Sequence, residues 1–423
     1  MALSKLINKK WLVLAAILLS SALVLPIFST NLEKNSNENK QDFLVGVTFG
    51  SNTTREAKLL IDKVKSYTNL FVVDSWDIST NKTAMTEICD YAMNADLKVI
   101  VYFDFIFYNV TRNIGSTYNS SSWDDYGVTP WHLPWLNNIS EKWGNKFLGV
   151  YLYDEPGGNQ IDRGYWGGNN LTRSGSSIRT FEDVSNYSDA ATRFISSINN
   201  SRSMRLLTNN SIPEGIKNKL SVFTSDYALY WFDYEAGYNT VFAEISEVRG
   251  ETSNTQQIAL CRGAANILNK QWGVIIVMAS SEPPYLDGGT EMLQNLITAY
   301  DAGADYALVF NFPPFNDYGA LTNEHFTALE EFWNYIHTYS RKEPKTEEKV
   351  AFVLPKDYGW GMRNPEDNMW GVWPADNLAP IIWDKMTQLI KEHGLKLDIL
   401  YEDPRFDFKQ KYQKIYYWNG TTS

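Results

Sequence analysis

The sequence is poor in the residues that crosslink small domains or bind metals. It contains two cysteines, Cys89 and Cys261, and four histidines in 423 residues. The cysteines lie in segments predicted to be different outer helices, so we expect neither a disulfide framework nor a bridge between them. The histidines lack metal-ligand spacing and no loop follows the EF-hand pattern, which argues against zinc and calcium sites. The sequence therefore predicts no metal and no other cofactor.

Positive charge and nucleotide-binding motifs are also scarce. The formal net charge is −11, which argues against a nucleic-acid partner, because phosphate binding requires a basic surface. No Walker loop and no G-x-S-x-G elbow is present. The turn after the first predicted strand, Thr48-Phe49-Gly50-Ser51, lacks the glycine spacing of a dinucleotide-binding fold.

The N-terminal segment has the pattern of a targeting sequence. Lysines precede an unbroken apolar run from Trp11 to Phe28, which is nearly long enough to cross a bilayer. No clear cleavage site follows, so residues 1–30 are predicted to be a transmembrane signal anchor, with a cleaved signal peptide as the alternative. Residues 31–42 read as a polar tether. This arrangement predicts an extracellular or cell-surface protein that contacts the membrane only through this segment.

N-x-S/T tripeptides are frequent, for example at Asn52, Asn138 and Asn419. In an exported chain they are acceptors for N-glycosylation, which would make the protein a glycoprotein. A chain this rich in Asn and Ser also produces such tripeptides by chance. Both interpretations stay open.

Short apolar runs alternate with helical patterns over residues 43–340. The predicted strands are Phe43–Phe49, Leu70–Ser75, Val99–Phe105, Phe147–Asp154, Arg205–Asn209, Asp226–Phe232, Val274–Ala279 and Tyr306–Asn311. Continuous apolar strands that alternate with helices are typical of parallel sheets covered on both faces. Eight such units predict an α/β protein with a closed (β/α)₈ TIM barrel, and a doubly wound open sheet is the alternative.

A second, smaller unit is predicted after the barrel. Residues 341–349 form a charged linker, and residues 350–423 contain three strand patterns and one helical pattern. They read as a small α/β domain, or as the first part of a flavodoxin-like domain. Its Trp- and Gly-rich segment, residues 356–377, is interpreted as interdomain packing, with a cover over the barrel mouth or a glycan contact as the alternative.

The strongest chemical signal is an acidic pair at the end of the fourth strand. Tyr153, Asp154 and Glu155 are followed directly by Pro156 and Gly157. In a (β/α)₈ barrel the carboxyl ends of the strands carry the catalytic groups. Neighbouring tyrosines would reduce the hydration of the carboxyl and raise its pKa, as a general acid requires.

A second Glu-Pro sequence follows the seventh strand, at Glu282-Pro283. Strands four and seven lie roughly opposite each other in an eight-stranded barrel. Two carboxylates on opposite sides of a substrate are the arrangement that glycoside cleavage needs: one protonates the leaving oxygen and the other attacks the anomeric carbon or activates water.

The spacing of these two motifs resembles the clan of retaining (β/α)₈ glycoside hydrolases. That resemblance implies that Glu155 is the acid/base and Glu282 the nucleophile. The α/β unit after the barrel is similar in arrangement to the family 42 β-galactosidases. One position departs from the pattern, because Asp154 stands where the clan usually has the Asn that holds the sugar 2-hydroxyl.

Polar and aromatic residues near other predicted strand ends extend this site. Sugars are recognised by Asp and Asn through their hydroxyls and by Trp and Tyr through their C–H faces. The candidate substrate-binding residues are Asp154, Asp104, Tyr153, Trp76, Asn209, Tyr230, Trp231, Trp166, Tyr285 and Asn311.

The sequence therefore favours an extracytoplasmic glycoside hydrolase whose partner is a carbohydrate substrate. A catalytically silent barrel that binds glycan at the cell surface is the alternative from a different class. A carboxylate-using lyase or transferase is a third hypothesis. The carboxyl separation of Glu155 and Glu282 would distinguish retention from inversion.

Overall fold

The computed structural model describes residues 43–103, 131–163, 184–208, 220–246, 250–341 and 349–423. The predicted anchor and tether, Asp104, Trp166 and Asn209 lie outside these ranges. Among the described residues, no helix has both the length and the apolar character needed to cross a membrane.

Eight parallel strands close into a barrel, in which β1 pairs with both β2 and β8. The strands are β1 (Leu44–Phe49), β2 (Leu70–Val73), β3 (Lys98–Tyr102), β4 (Phe147–Tyr151), β5 (Ser221–Asp226), β6 (Thr240–Ile245), β7 (Gln271–Ile276) and β8 (Tyr306–Val309). The predicted (β/α)₈ architecture is therefore confirmed, and the open-sheet alternative is excluded.

Helices surround the barrel and cover its outer face. They are α1 (Thr54–Val64), α2 (Trp76–Thr80), α3 (Lys82–Asn94), α4 (His132–Trp143), α5 (Pro156–Arg163), α6 (Tyr187–Asn199), α7 (Arg202–Thr208), α8 (Tyr230–Ala236), α9 (Gly250–Leu268), α10 (Gly289–Asp301) and α11 (Asn323–Thr338). Their apolar faces share a core with the outward side chains of the strands. Cys89 of α3 and Cys261 of α9 are buried, free thiols in this core.

A separate cluster of side chains fills the barrel interior. Tyr151, Phe223, Phe242 and Tyr306 belong to it, and the Phe223 and Phe242 rings stack with centroids 5.9 Å apart. The interior is thus a packed core rather than a channel. Only the carboxyl ends of the strands are left to form a polar site.

The predictions for strands five and six are wrong. Residues 205–208 belong to helix α7, and β5 begins later, at Ser221. The segment predicted as strand six contains only the last residue of β5, Asp226, and then the start of helix α8. Short apolar runs fit a buried helix as well as a buried strand, so their pattern alone did not decide between the two.

The C-terminal unit is a three-stranded parallel sheet with one helix. Its strands β9 (Val350–Leu354), β10 (Leu397–Tyr401) and β11 (Lys414–Tyr417) lie in the order β10-β9-β11, and α12 spans Ala379–His393. These elements agree with the small α/β unit expected from the sequence.

This unit packs against the barrel through buried polar contacts. The Arg262 guanidinium of α9 lies 2.6 Å from the Asp398 carboxylate of β10. The Gln160 side chain of α5 donates to the carbonyl of Trp370, and Trp370 is fully buried. The Trp-rich segment therefore forms interdomain packing on α5 and α9.

Candidate active site

The turn between β4 and α5 is tightly bent and carries the acidic pair. Tyr153 and Glu155 adopt left-handed backbone conformations, with φ of 57° and 49°, which cost energy for residues other than glycine. The turn is held by β5, because Glu155 N donates to the Ser225 carbonyl at 3.2 Å and the Thr224 hydroxyl donates to the Tyr153 carbonyl at 2.7 Å. Strained backbone that neighbouring elements hold in place is frequent at functional sites.

The Asp226 carboxylate at the end of β5 binds the start of α5. It accepts hydrogen bonds from the backbone N–H groups of Gly157 at 2.5 Å and Gly158 at 2.8 Å. It also accepts from Tyr227 and Ala228, the residues that follow it. A Cβ atom on Gly157 would lie 2.4 Å from the Ala228 carbonyl oxygen. Glycine at this position therefore permits the close approach of α5 to β5.

Two buried acids lie behind the turn. The pKa of Asp226 is raised to about 7, mainly by burial; the charge of Glu155 contributes to this increase, and the backbone N–H groups oppose it. Burial and the charge of Asp226 together raise the pKa of Asp233 on α8 well above its usual value. Both carboxyl oxygens of Asp233 are buried, and no backbone N–H group or cation of the described residues binds them. These surroundings favour the neutral form of Asp233 over the ionised form.

A chain of hydrogen-bonded oxygen atoms crosses the inner side of the barrel mouth. The Tyr151 hydroxyl lies 2.7 Å from Asp154 Oδ1 and 2.7 Å from Ser225 Oγ. Ser225 Oγ in turn lies 3.1 Å from Glu244 Oε1. These residues come from β4, the β4–α5 turn, β5 and β6, so three adjacent strands build the chain. Asp154 is its solvent-exposed end, whereas Glu244 is buried.

The surroundings of this chain disfavour negative charge. The walls of the mouth reduce the hydration of the Asp154 carboxyl and raise its pKa, although the residue is exposed, and the Tyr151 hydroxyl opposes the shift. Burial, Asp154 and Asp74 raise the pKa of Tyr151 well above its usual value. Carboxyls with raised pKa values at a barrel mouth are suited to hold and transfer protons.

The two predicted catalytic glutamates lie in different settings. Glu155 immediately precedes α5 and is half-buried beside Asp226 and Tyr227. Glu282 is exposed in a turn well beyond the end of β7 at Ile276. In that turn Glu282 N donates to Ser280 Oγ at 3.1 Å. The strand-four residue is thus part of an ordered network, and the strand-seven residue lies outside it.

The described substrate-binding candidates divide into exposed and buried residues. Trp76 is 40% exposed at the start of α2, and Tyr153 and Tyr285 are half-buried. Tyr230 and Trp231 were expected in the last part of a sixth strand, but they lie on helix α8 and are buried. Because a buried side chain cannot stack on a sugar, we do not propose them as substrate contacts.

Asn311 is also buried, and its side chain stabilises the loop after β8. Its Oδ1 accepts from Ala320 N at 2.7 Å and its Nδ2 donates to the Tyr318 carbonyl at 2.8 Å. These bonds occupy both ends of the amide. Asn311 therefore supports the rim instead of extending from it.

Sequence reasoning missed two parts of the site. Ser225 and Glu244 were missed because strands five and six were misplaced. Exposed apolar side chains after β7 and β8 were also missed: Met278 and Phe312 are each 40% exposed and Phe315 is 56% exposed. The Phe315 ring packs edge-on against Tyr285, with centroids 5.7 Å apart. Together with Trp76, these residues give the mouth an apolar rim.

Metal-binding clusters and other cavities in the described part of the chain do not point to a different site. Among the described residues, no cluster of three or more His, Cys, Asp or Glu side chains could hold a metal ion. A shallow depression of about 450 Å³, lined by Asn239, Lys270 and Asp305, lies at the amino ends of the strands. Catalysis in this fold takes place at the opposite, carboxyl ends, so we place the candidate site at the mouth.

Comparison with known proteins shows similarity in fold alone. No protein-family model matches the chain, and no curated protein matches its sequence. A GH5_18 variant from Streptomyces cattleya, crystallised with Manb1-4GlcNAc, superposes with a TM-score of 0.52 at 12% identity, over 89% of this chain and 99% of its own. Its counterpart from Bifidobacterium longum gives 0.49 at 11% identity, over 89% and 97%.

A more distant match is the endo-1,4-beta-mannanase from Rhizomucor miehei, with a TM-score of 0.43 at 12% identity, over 72% of this chain and 98% of its own. The Streptomyces structure supports the fold that the glycoside hydrolase resemblance implied, because it matches along almost its entire length.

Proposed function

We propose that this protein is a glycoside hydrolase that cleaves a glycan at the carboxyl face of its barrel. The observation that carries the proposal is the Asp154–Glu155 pair at the end of β4, held in a strained turn by β5. Two adjacent carboxyls at this position, in surroundings that raise the pKa of Asp154, provide proton-donating and proton-accepting groups where barrel enzymes act.

Glu155 is proposed as the general acid/base. It gives a proton to the leaving oxygen as the glycosidic bond breaks, and it takes a proton from the water that completes hydrolysis. Glu282 is proposed as the nucleophile on the opposite side of the mouth, as in a retaining mechanism.

The exposed rim supports a carbohydrate substrate. Five large apolar side chains are exposed among the described residues, and four of them, Trp76, Met278, Phe312 and Phe315, follow barrel strands at their carboxyl ends. Exposed aromatic faces around a polar site are suited to stacking on sugar rings. The Manb1-4GlcNAc bound by the Streptomyces protein makes β-linked mannosides the first substrates to test. From the N-terminal sequence we also propose that the protein acts outside the cytoplasm, on an external or cell-surface glycan.

A glycan-binding barrel without activity is the second candidate. It is favoured by the position of Glu282, which is exposed beyond β7 and has no hydrogen bond from its carboxylate to the described residues. The replacement of the clan's Asn by Asp154 favours it too.

Hydrolysis by residues 43–423 across a panel of β-mannosides, other oligosaccharides and aryl glycosides tests the proposal. Glu155→Gln and Glu282→Gln are assayed beside the parent, and Glu251→Gln, at an exposed position on α9, is the matched control. Turnover that is lost in both test variants and kept in the control is the expected result. Glycan binding without turnover by the parent would support the silent barrel instead.

A further inference from the structure

The hydrogen-bonded chain at the mouth contains more oxygen contacts than its hydroxyl groups have protons. Asp154, Tyr151, Ser225 and Glu244 are joined by contacts of 2.7, 2.7 and 3.1 Å. Each contact requires one proton between its two oxygens, since two lone pairs at this distance repel each other. Tyr151 and Ser225 each supply a single hydroxyl proton. One contact therefore needs a proton from a carboxylic acid.

We propose that Asp154 and Glu244 share one proton through the hydroxyls of Tyr151 and Ser225, and that this relay presents Asp154 as a neutral acid beside Glu155. In the resting arrangement Asp154 donates to Tyr151, Tyr151 donates to Ser225, and Ser225 donates to the Glu244 carboxylate. In the alternative arrangement each of the three protons has moved one step towards Glu244, so that Glu244 is protonated and Asp154 is ionised. No proton is gained or lost in this exchange.

The backbone is compatible with both arrangements. Ser225 N donates to the Tyr151 oxygen at 3.0 Å, so that oxygen accepts one backbone bond and has one further lone pair. In the resting arrangement this lone pair accepts from Asp154, and in the alternative arrangement it accepts from Ser225. Each hydroxyl thus keeps one donor and one acceptor role in both arrangements.

The described charges around the relay disfavour the ionisation of both of its carboxyls at once. The ionisable groups facing Tyr151 are Asp154, Asp74 beyond β2, Tyr102 of β3, whose ring centroid is 5.8 Å away, and Glu244 through Ser225. No cation is among these described groups. Reduced hydration of the Asp154 carboxyl acts in the same direction.

This inference rests on the proposed function and explains its main departure from the clan. Asp154 stands where the related hydrolases have a neutral Asn. A protonated Asp is the closest chemical equivalent of Asn, because it can both donate and accept one hydrogen bond. Glu244 is therefore a positioning residue that acts through two hydroxyls on the exposed Asp154, without touching the substrate.

Substitutions that interrupt the relay are expected to change the deprotonation of Asp154 in one direction. In Ser225→Ala the Tyr151 proton is no longer directed to Ser225 and turns to the Asp154 carboxylate, which stabilises the ionised form. In Glu244→Gln the amide N–H replaces the missing proton and reverses the chain, with the same result. Both variants lower the pH at which Asp154 loses its proton by about one unit, since hydrogen bonds to charged groups are of that strength.

The test is a pH titration of the full chain by difference infrared spectroscopy. The carbonyl stretch of protonated Asp154 is identified as the signal that Asp154→Asn removes. Its midpoint is expected to fall by about one pH unit in Ser225→Ala and in Glu244→Gln. Tyr306→Phe is the matched control, since it removes a hydroxyl deeper inside the barrel that bonds to Gln271, and it leaves the midpoint unchanged.

Two results would overturn the relay: an unchanged midpoint in Ser225→Ala, or no acid signal lost in Asp154→Asn above pH 5. Activity provides a second measurement. Ser225→Ala moves the basic limb of the kcat profile to lower pH in the parent background, and it has no further effect in the Asp154→Asn background. If the parent cleaves no glycan, the proposed function fails while the infrared titration still decides the relay.

Discussion

The carboxylate of Asp226 in β5 lies 2.5 Å from the backbone nitrogen of Gly157 in α5. This hydrogen bond joins β5 to α5, the helix that follows the neighbouring strand β4. It fixes the backbone two residues after Glu155. The orientation of the proposed acid/base therefore depends on an acid that is itself fully buried.

Asp226→Ala is expected to lower both stability and turnover. The change leaves the N–H groups of Gly157 and Gly158 buried without an acceptor, which costs about 3 kcal/mol. Asp226→Asn keeps the shape and one acceptor, and we expect a smaller loss. Urea unfolding and glycan hydrolysis measure the two effects. The control is Asp407→Ala, which removes an exposed cap of a short 3₁₀ turn and changes stability by about 1 kcal/mol or less. Equal losses in Asp226→Ala and the control would contradict this role.

Asp233→Asn is expected to stabilise the protein increasingly as the pH rises above 4. Because the pKa of Asp233 in the folded state lies well above its usual value of 3.8, the folded protein holds a proton that the unfolded chain has lost. Its contribution to stability therefore falls as the pH rises through this range. Asparagine does not ionise, so its contribution to stability does not depend on pH in this way.

Thermal or urea unfolding of the parent and Asp233→Asn at pH 4, 6 and 8 tests this linkage. The advantage of the variant should increase at each step and exceed about 1 kcal/mol at pH 8. Parallel stability curves for the two proteins would show that Asp233 is not a buried neutral acid.

The contact between barrel and C-terminal unit is expected to depend on Arg262. Its guanidinium binds the Asp398 carboxylate and donates to the Leu397 carbonyl at 2.8 Å. Arg262→Ala leaves Asp398 buried without its cation and should cost about 3–5 kcal/mol. Lys58→Ala breaks an ion pair of equal length at the surface, with Glu87, and should cost less than about 1 kcal/mol. If a denaturant titration shows similar losses of unfolding free energy for Arg262→Ala and Lys58→Ala, the buried ion pair does not hold the two units together.

The apolar rim is expected to bind substrate without taking part in bond cleavage. Phe315→Ala and Trp76→Ala should raise KM for an oligosaccharide several-fold, about 1 kcal/mol each, and leave kcat largely unchanged. Ile381→Ala is the matched control, because Ile381 is 59% exposed on the C-terminal unit. A fall in kcat with constant KM would assign these residues a different role.

The parts of the fold predicted correctly share a physical origin. The strands near Phe147 and Val274 are continuous apolar runs, and such runs are buried on both faces whichever neighbours they acquire. β5 and β6 contain several polar residues, among them Ser225 and Glu244. The short apolar runs of α7 and α8 were taken for strands instead, because such runs fit a buried helix as well as a buried strand.

The parts of the candidate site that could be predicted from the sequence are those formed by residues of a single strand end. The positions of Asp154 and Glu155 follow from the end of β4 alone, without knowledge of the neighbouring strands. The Ser225–Glu244 contact depends on the pairing of β5 with β6, and a one-residue error in register turns every side chain to the opposite face. One sequence signal could have indicated Glu244. Phe242 and Glu244 are two residues apart in β6 and therefore lie on the same face of the strand, which places an acid on the side that faces the barrel interior.

The central claim is that Glu155 donates the proton that releases the leaving group, and Glu155→Gln tests it most directly. The variant is assayed on an unactivated oligosaccharide and on an aryl glycoside of the same sugar whose phenol leaves without protonation. We predict a loss of about 100-fold or more in kcat/KM on the oligosaccharide and a much smaller loss on the aryl glycoside. Equal rates for variant and parent on both substrates would contradict the account.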